Sequence, residues 1–529
     1  MEDELVVWDV FDRIASMDPG RPLVIEPSET ATYADVRERS AKFARYLAGQ
    51  GLGHRRARTE MQGWESGQSH VAMLMGNSSA YLEVLLGCLR ARAVPVNVNY
   101  RYLADELQRL LSTSQAEAIV YDAEFEDVVA EVVASRGAPA VLVRIGHGTP
   151  RVDGAVAYAE ILTSADPGPE PDRPIADDLC IVCTGGTTGF PKAVLWRQAD
   201  LTAMMIGNRH LLTGAPVSTS DDLVVEAARH QHRVLLGPPM MHLSGFGLGL
   251  VVAMSGATIV FPGPRTGMDA AAILEAIEQH RAQLLVVVGD AFGRPLLHEL
   301  TRRRYDTSSL RMVMNGGATM SPSVKAELSA ALGDVPVGDG VGSSESGVLA
   351  RSRGGEEPRP GVFHPASSAC IVSEDLSRVL DPSDPAIGWL AGSGRMPLGY
   401  LGDPERTAST FPVIDGRRRT VPGDRARWLD DGMIELLGRD ATTINTGGEK
   451  VYSDEVERVL LRDATVEECL VVGRPSQRWG QEVIALVVPV DAATFVADRV
   501  LDTARSVLAR YKVPNEVVLV ERIERTPVG

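Results

Sequence analysis

The chain has 529 residues, 44% of them hydrophobic, which is enough to bury several cores and allows about three or four domains. Its 53 Lys and Arg against 70 Asp and Glu leave a net charge of −17, which argues against non-specific binding to nucleic acid or to an anionic membrane surface. Five scattered cysteines, an acidic amino terminus and the lack of any apolar run near ~18 residues lead to the expectation of a cytoplasmic protein without disulfides or membrane insertion.

The first 50 residues predict a helix from Val6 to Met17, a short strand at Leu23-Val24-Ile25 and a helix from Tyr33 to Ala48. A polar, aperiodic stretch at 55–69 reads as a surface loop. Apolar runs beginning at Val71, Val94 and Ala118 then alternate with helical periodicity over 79–92, 103–113 and 124–135, the pattern of an α/β domain with parallel sheet. Residues 163–177, rich in Pro, Asp and Ser, read as a linker. Beyond it, helices are predicted at 199–211, 268–281 and 322–332, and strands at Arg233–Leu236, Gln283–Val288 and the run from Met312 into Gly316-Gly317. Residues 351–436 are short, Gly- and Pro-punctuated and β-like, which suggests a small β subdomain. A break near Leu437-Gly438-Arg439 precedes about 90 residues that read as a separate small α+β domain, with helices at 453–462 and 497–510 and strands at 468–472, 483–490 and 516–520.

The stretch with the most chemistry is Cys183-Thr184-Gly185-Gly186-Thr187-Thr188-Gly189-Phe190-Pro191-Lys192, which follows the buried-strand pattern Leu179–Val182. Its glycines let backbone N–H groups approach an anion, Thr184, Thr187 and Thr188 add hydroxyl donors, and Lys192 adds a cation: a cradle for a polyphosphate. Cys180 and Cys183 form a C-x-x-C with no second ligand pair nearby, so a metal or redox role is not expected. Two other enzyme classes are excluded on spacing. Lys192 does not follow a glycine as in a P-loop NTPase, and Gly342-Ser343-Ser344-Glu345-Ser346 lacks the second glycine of a hydrolase nucleophile elbow.

Further stretches follow the glycine loop in one order: Met241-His242; Gly316-Gly317-Ala318; Asp339-Gly340-Val341-Gly342-Ser343-Ser344-Glu345; Pro422-Gly423-Asp424; Gly438-Arg439; and Ile444-Asn445-Thr446-Gly447-Gly448-Glu449-Lys450-Val451. Together they resemble the adenylate-forming superfamily over nearly the whole chain, and look most like actinobacterial acyl-CoA synthetases of the fatty-acid and steroid side-chain type. The resemblance implies a large amino-terminal AMP-binding domain at 1–438, built of α/β subdomains and a small β subdomain, and a small mobile α+β lid domain at 439–529. It implies ATP, Mg2+ and coenzyme A, with a carboxylate attacking the α-phosphate to give an acyl-adenylate that a thiol then intercepts. Thr184 to Lys192 would hold the β- and γ-phosphates, Glu345 the Mg2+, and Ser344 the α-phosphate. Gly317, Ala318, Asp339, Gly340 and Val341 would frame adenine, with Asp339 accepting from its amino group, while Asp424 and Arg439 take the ribose. His242 would gate the acyl pocket, whose expected walls are Gly245, Phe246, Asp290, Ala291, Phe292 and Gly316; Gly447 and Gly448 would form the pantetheine tunnel. Lys192, His242 and Glu345 are thus the expected catalytic set. A homodimer is compatible with the resemblance.

The sequence departs from the family's pattern in several places. Val341 stands where an aromatic residue usually stacks on adenine, Ala441 replaces the usual hinge acid, and Ala193 replaces the glycine after Lys192. The family's catalytic lysine follows a Thr-Pro turn that Arg525-Thr526-Pro527-Val528-Gly529 reproduces at the end of the printed sequence. Either that lysine lies beyond Gly529 or the enzyme dispenses with it, and losing such a donor typically costs on the order of 10²–10³ in rate. Lys512, in Tyr511-Lys512-Val513-Pro514, matches a structural position and is not a replacement. Two rival readings stay open on this scaffold: an ATP-dependent diazotase that activates nitrite for reaction with an aryl amine, and a non-catalytic nucleotide-binding homologue.

Overall fold

Two twisted sheets carry the amino-terminal domain in a computed structural model that describes residues 4–523, apart from 137–138, 167, 186–190, 264, 319, 321, 353, 355, 357–358, 360 and 440–442. In the first, eight described strands run in the order Gly399–Tyr400, Pro191–Arg197, Leu179–Gly185, Val94–Asn97, His70–Leu74, Ala116–Asp122, Val141–Ile145 and Ala155–Ala157. The strands His70–Leu74 and Val94–Asn97 pair in parallel and are buried at every position, which is why they read as continuous apolar runs. The helix Ser79–Arg90 covers them, and its amino end is capped by Ser78, whose hydroxyl accepts from the Tyr81 N–H at 3.3 Å.

The second sheet has a parallel block of Pro22–Ile25, Thr258–Val260, Arg233–Leu236, Leu284–Val287, Met312–Gly316 and Val337–Ser343. At Gly347, with φ +65°, the chain doubles back, and Gly347–Arg351 pairs antiparallel with Val337–Ser343. From there the sheet runs on through Val362–Pro365 and Ile434–Arg439 into the strands of the predicted β subdomain. That subdomain keeps its own small core of Leu349, Ile371, Leu380, Leu390, Ala426 and Ile434, yet by hydrogen bonding it continues the α/β sheet.

The carboxy-terminal domain is α+β, as expected. The long hairpin Val466–Ser476 and Gly480–Pro489 is joined by Thr443–Thr446, Glu449–Tyr452 and Glu516–Leu519, with helices Ser453–Leu460 and Ala497–Val507 packed on a separate core around Val451, Val456 and Val500. The strand Ile434–Arg439 carries the amino-terminal domain one residue past the expected break at 438.

Several elements differ from expectation for physical reasons. The helix expected at 199–211 spans Gln198–Ile206 and stops at Gly207, whose φ of +65° a helix cannot continue. Leu243–Met254 is a helix that periodicity does not reveal, because it is apolar all round and buried on nearly every face. Gly289–Arg302 is helical despite Pro295 in its interior. Residues 191–197 form a strand rather than loop, with Pro191 at the first strand position, where a missing N–H is tolerated. Among the described residues no helix is long and apolar enough to cross a membrane.

Candidate active site

Leu179–Gly185 and Pro191–Arg197 form an antiparallel hairpin whose register sets Thr184 opposite Lys192 and Gly185 opposite Pro191. The glycine loop is therefore the connection of a hairpin, and its two ends bring a hydroxyl and an ammonium to one spot. Gly186, Thr187, Thr188 and Gly189 lie outside the described residues. Asn97, which is fully buried, fastens the hairpin. Its Oδ1 accepts from the Cys183 N–H at 2.7 Å, while its Nδ2 donates to the Met241 carbonyl. One side chain thereby ties the phosphate hairpin to the His242 segment.

Lys192 is half-buried, with Nζ 5.6 Å from the centre of the Tyr400 ring. The Tyr400 hydroxyl donates to Glu345 Oε1 at 2.8 Å, and Tyr400 sits opposite Val194 on the strand next to Lys192. Burial first, then the Glu345 charge, pushes the Tyr400 hydroxyl well above its ordinary value, so it remains a donor to that carboxylate. Trp196 Nε1 donates to the Ser344 carbonyl at 2.9 Å. Lys192, Ser344 and Glu345 are thus brought near one another from elements about 150 residues apart in sequence.

Beside them, Asn315 closes a network that no sequence motif announces. Its Oδ1 accepts from the Gly289 N–H at 2.7 Å, and its Nδ2 donates to the Ala318 carbonyl at 3.1 Å and to Asp339 Oδ1 at 3.0 Å. Asp339 Oδ2 accepts from Lys325 Nζ and, at 2.8 Å, from the Ser352 hydroxyl. Gly316, Gly317, Gly338 and Gly340 leave an open slot alongside, since a Cβ at Gly316 or Gly317 would meet nothing closer than 3.8 Å.

Asn315, Asp339, Ser352 and these four glycines line one cavity of about 1280 Å3, whose lining includes neither Lys192 nor Glu345. Thr184, Ser344, Gly317 and Asp339 face it from the sheets, and Met204, Met205, Leu211, Leu243 and Leu248 give it an apolar wall. Phe292 and Gly316 are walls, as expected, and so is Ala291. Gly245, Phe246 and Asp290 are not. Phe246 is fully buried in the core of the amino-terminal domain, and Gly245 is there for close packing, since a Cβ would lie 2.3 Å from the Pro239 carbonyl oxygen. Asp290 is buried in an ion pair with Arg294 at 3.0 Å. Leu243 and Leu248, on the cavity side of that helix, take the place given to Phe246. Likewise Val348, not Val341, supplies the apolar surface next to Gly340. Asp424 is half-buried outside the cavity lining, paired in register with Arg439, whose side chain lies outside the described residues.

The carboxy-terminal domain completes the cavity. Gly447 and Gly448 form the two-residue turn between Thr443–Thr446 and Glu449–Tyr452, with φ +57° and +85°, a conformation that favours glycine at both positions. The turn is wedged between the domains: a Cβ on Gly447 would lie 2.8 Å from the Trp479 ring, and one on Gly448 2.6 Å from Val288. Glu449, next along, is buried, takes the Arg101 guanidinium and lies 3.3 Å from His242 Nε2. Burial alone would raise its carboxyl, but His242, Arg101 and Lys512 together outweigh burial and hold it below its ordinary value. Lys512 Nζ donates to Glu106 Oε1 at 2.9 Å in an almost fully buried ion pair across the joint. Glu106 reads in the sequence only as a first-turn acid, and indeed its other oxygen accepts from the Leu103 N–H at 3.1 Å.

The chain matches the AMP-binding enzyme family over residues 11–401 and the AMP-binding enzyme C-terminal domain over residues 455–529. It belongs to the AMP-binding enzyme family. Among curated relatives it is 42% identical to the medium-chain acyl-CoA ligase Mig of Mycobacterium avium over 524 residues, covering 98% of this chain and 95% of that one. It is 32% identical to a 3-oxocholest-4-en-26-oate–CoA ligase of Rhodococcus rhodochrous, covering 99% and 94%. In fold it is similar to an o-succinylbenzoate CoA synthetase of Bacillus subtilis, with TM-score 0.80, 21% identity and coverage of 99% and 97%. It is also similar to an amide bond synthetase of Marinactinospora thermotolerans, with TM-score 0.77, 24% identity and coverage of 98% and 97%.

The residues of this family member also bear on its cofactors. Among the described residues no cluster of three or more His, Cys, Asp or Glu could hold a metal ion by itself. Glu345, oriented by Tyr400 beside the phosphate hairpin, fits Mg2+ carried in with a nucleotide, since that ion keeps waters and phosphate oxygens and takes only one or two carboxylates. All five cysteines are free, and burial pushes the Cys183 thiol up to about 12, so it is inert as a nucleophile despite facing the cavity.

Proposed function

We propose that this protein activates a medium-chain aliphatic acid as its acyl-adenylate at the expense of ATP and then transfers the acyl group to coenzyme A. The observation that carries this reading is the single cavity, which runs from Thr184 and Pro191 on the hairpin that also carries Lys192, past the apolar wall of Met204, Met205 and Leu248, to the Gly447-Gly448 turn. In the first step a carboxylate oxygen attacks the α-phosphorus and the bond to pyrophosphate breaks. In the second, the thiolate of coenzyme A attacks the acyl carbon and AMP leaves.

Phosphoryl chemistry of this kind needs positioning and charge stabilisation more than covalent help. Lys192 and Thr184 hold the departing phosphates, Ser344 meets the α-phosphate, and Asp339 reads the adenine amino group. Asp424 and Arg439 take the ribose hydroxyls. Bound at Glu345, Mg2+ neutralises charge on the phosphate oxygens. His242, at the head of the helix Leu243–Met254, stands between the acyl wall and the nucleotide, where Glu449 fixes its ring. Gly447 and Gly448 line the way by which the thiol enters, next to Trp479 and Arg478.

The methionine-rich wall supports an aliphatic substrate, because unbranched thioether chains repack around ligands of different length. The name of the Mycobacterium avium relative supports the medium-chain class. The test is pyrophosphate release by the purified protein with ATP, Mg2+, coenzyme A and a series of straight-chain acids from short to long. Release should peak at medium length and yield acyl-CoA. Release driven by nitrite with no acid, or ATP binding with no release under any condition, would contradict the proposal.

A further inference from the structure

Asp339 accepts three hydrogen bonds from three different parts of the chain. Asn315, opposite it in the parallel pairing of Met312–Gly316 with Val337–Ser343, donates to Oδ1 at 3.0 Å. Ser352, just beyond the strand Gly347–Arg351, donates to Oδ2 at 2.8 Å and accepts from the Asp339 N–H at 2.9 Å. Lys325, on the helix Pro322–Ala331, puts its ammonium on that same Oδ2, with only 17% and 14% of the two side chains exposed.

A carboxylate offers about four lone-pair sites. Among the described residues Oδ2 is filled by Lys325 and Ser352, whereas Oδ1 takes Asn315 alone, which leaves an acceptor position on Oδ1. Asp339, Asn315 and Ser352 all line the cavity, and the glycine slot of Gly316 and Gly340 lies alongside. The Asn315 amide cannot turn over to offer its own oxygen there, because Gly289 N–H and the Ala318 carbonyl fix which end is which.

We propose that Lys325 is a positioning residue that sets the base selectivity of this site by pinning Asp339 as an acceptor-only reader of the exocyclic amino group of the nucleotide. The proposal rests on the reading of Asp339 as the adenine contact. A base with an amino group at that position donates to Oδ1, and a base with a keto oxygen there meets a carboxylate oxygen with no proton between them. Without the ammonium, the half-buried carboxylate loses its counter-charge. It is then free to swing away from the base, and the contact that tells an amino group from a keto oxygen weakens. Removal of Lys325 therefore narrows the discrimination between the two bases rather than abolishing turnover. Thermal denaturation of each variant checks that the fold is kept, since Lys325 is largely buried in its pair with Asp339.

The experiment compares ATP with ITP, which differs in that amino group, by kcat/KM for pyrophosphate release and by calorimetric binding of each nucleotide alone. Wild type should prefer ATP in both readouts. Lys325→Met should lower the ATP:ITP ratio about tenfold, mainly through KM, as expected for loss of a charge-assisted hydrogen bond. Lys325→Arg should restore most of the ratio, and Ser352→Ala should lower it by a smaller factor. An ATP:ITP ratio in both Lys325→Met and Ser352→Ala equal to wild type, while Asp339→Asn loses it, overturns the role of Lys325 and leaves Asp339 as the reader. A wild type that binds ATP and ITP equally overturns the reading of Asp339 itself, and this inference with it.

Discussion

At the nucleotide end of the cavity, Asn315, Asp339, Lys325 and Ser352 form a closed set of hydrogen bonds, whereas at the apolar end Met204, Met205, Leu211 and Leu248 present side chains with no polar partner to fix them. A satisfied polar network has one low-energy arrangement and loses heavily when any member is removed. A wall of flexible thioethers has many arrangements and loses little. On the proposed reading, the first end recognises an invariant group and the second accepts a range of chain lengths. The joint with the carboxy-terminal domain is of the first kind, since Glu106–Lys512 and His242–Glu449–Arg101 cross it as buried or half-buried charge contacts.

Breaking the polar end should have the largest effect. Lys192→Ala is expected to lower kcat/KM for ATP by ~10²–10³, the scale for removing one charged donor from a developing anion. Thermal denaturation should be little changed, because Lys192 is only half-buried. Unchanged ATP kinetics in a folded variant would remove the phosphate role.

The joint comes next. Lys512→Met leaves the Glu106 carboxylate buried without its cation, a change that costs about 3–5 kcal/mol wherever the joint stays closed. Thioester formation from a preformed acyl-adenylate is expected to fall by about one to two orders of magnitude, short of the roughly two to four that the full cost would give because the joint can open and let water reach Glu106, with pyrophosphate release nearly unaffected. Equal losses in both half-reactions would show that the ion pair serves general stability instead. Pairing it with Glu106→Gln should recover part of the loss.

At the apolar end the effect should be a shift in preference rather than a loss. A Cβ at Gly247 would lie 2.6 Å from Met205 Cε, the free end of a flexible chain. Gly247→Ala should push that methyl into the cavity and move the preferred acid a few carbons shorter, with total activity nearly preserved. An unchanged chain-length profile would mean that Met205 does not bound the acyl site.

The smallest effect concerns pH. Glu449 is held below its ordinary value of 4.5, so its contribution to docking is fully present above that value and is lost as pH falls through its lowered one. Trp479 fluorescence, as a reporter of the Gly447-Gly448 turn, should therefore be flat from neutral down to the ordinary value and change only in more acid solution. A change between neutral pH and that value would assign the switch to another group.

The parts legible in the sequence were those whose physics is local. Buried parallel strands such as His70–Leu74 and Val94–Asn97 announce themselves as apolar runs. The helix Leu243–Met254 was hidden because a segment buried all round has no polar face to set a period, and Gly289–Arg302 because Pro295 reads as a breaker. Phe246 and Asp290 were expected as walls from the resemblance, but both are buried away from the cavity lining, Phe246 in the core and Asp290 in its pair with Arg294. Asn315, Lys325, Ser352 and Tyr400 acquire their roles only through partners on other elements, and Glu106 meets Lys512 across 406 positions of sequence. No spacing rule reaches that far.

The most direct test of a single cavity serving ATP, an aliphatic acid and coenzyme A is a two-stage single-turnover experiment. The protein is mixed with ATP, Mg2+ and a medium-chain acid, the bound species are identified by mass spectrometry, and coenzyme A is then added. The account predicts one pyrophosphate released per acyl-adenylate formed before coenzyme A, followed by conversion to acyl-CoA and AMP. Bound ATP that stays intact through both stages, or AMP formed with nitrite but not with the acid, would contradict it.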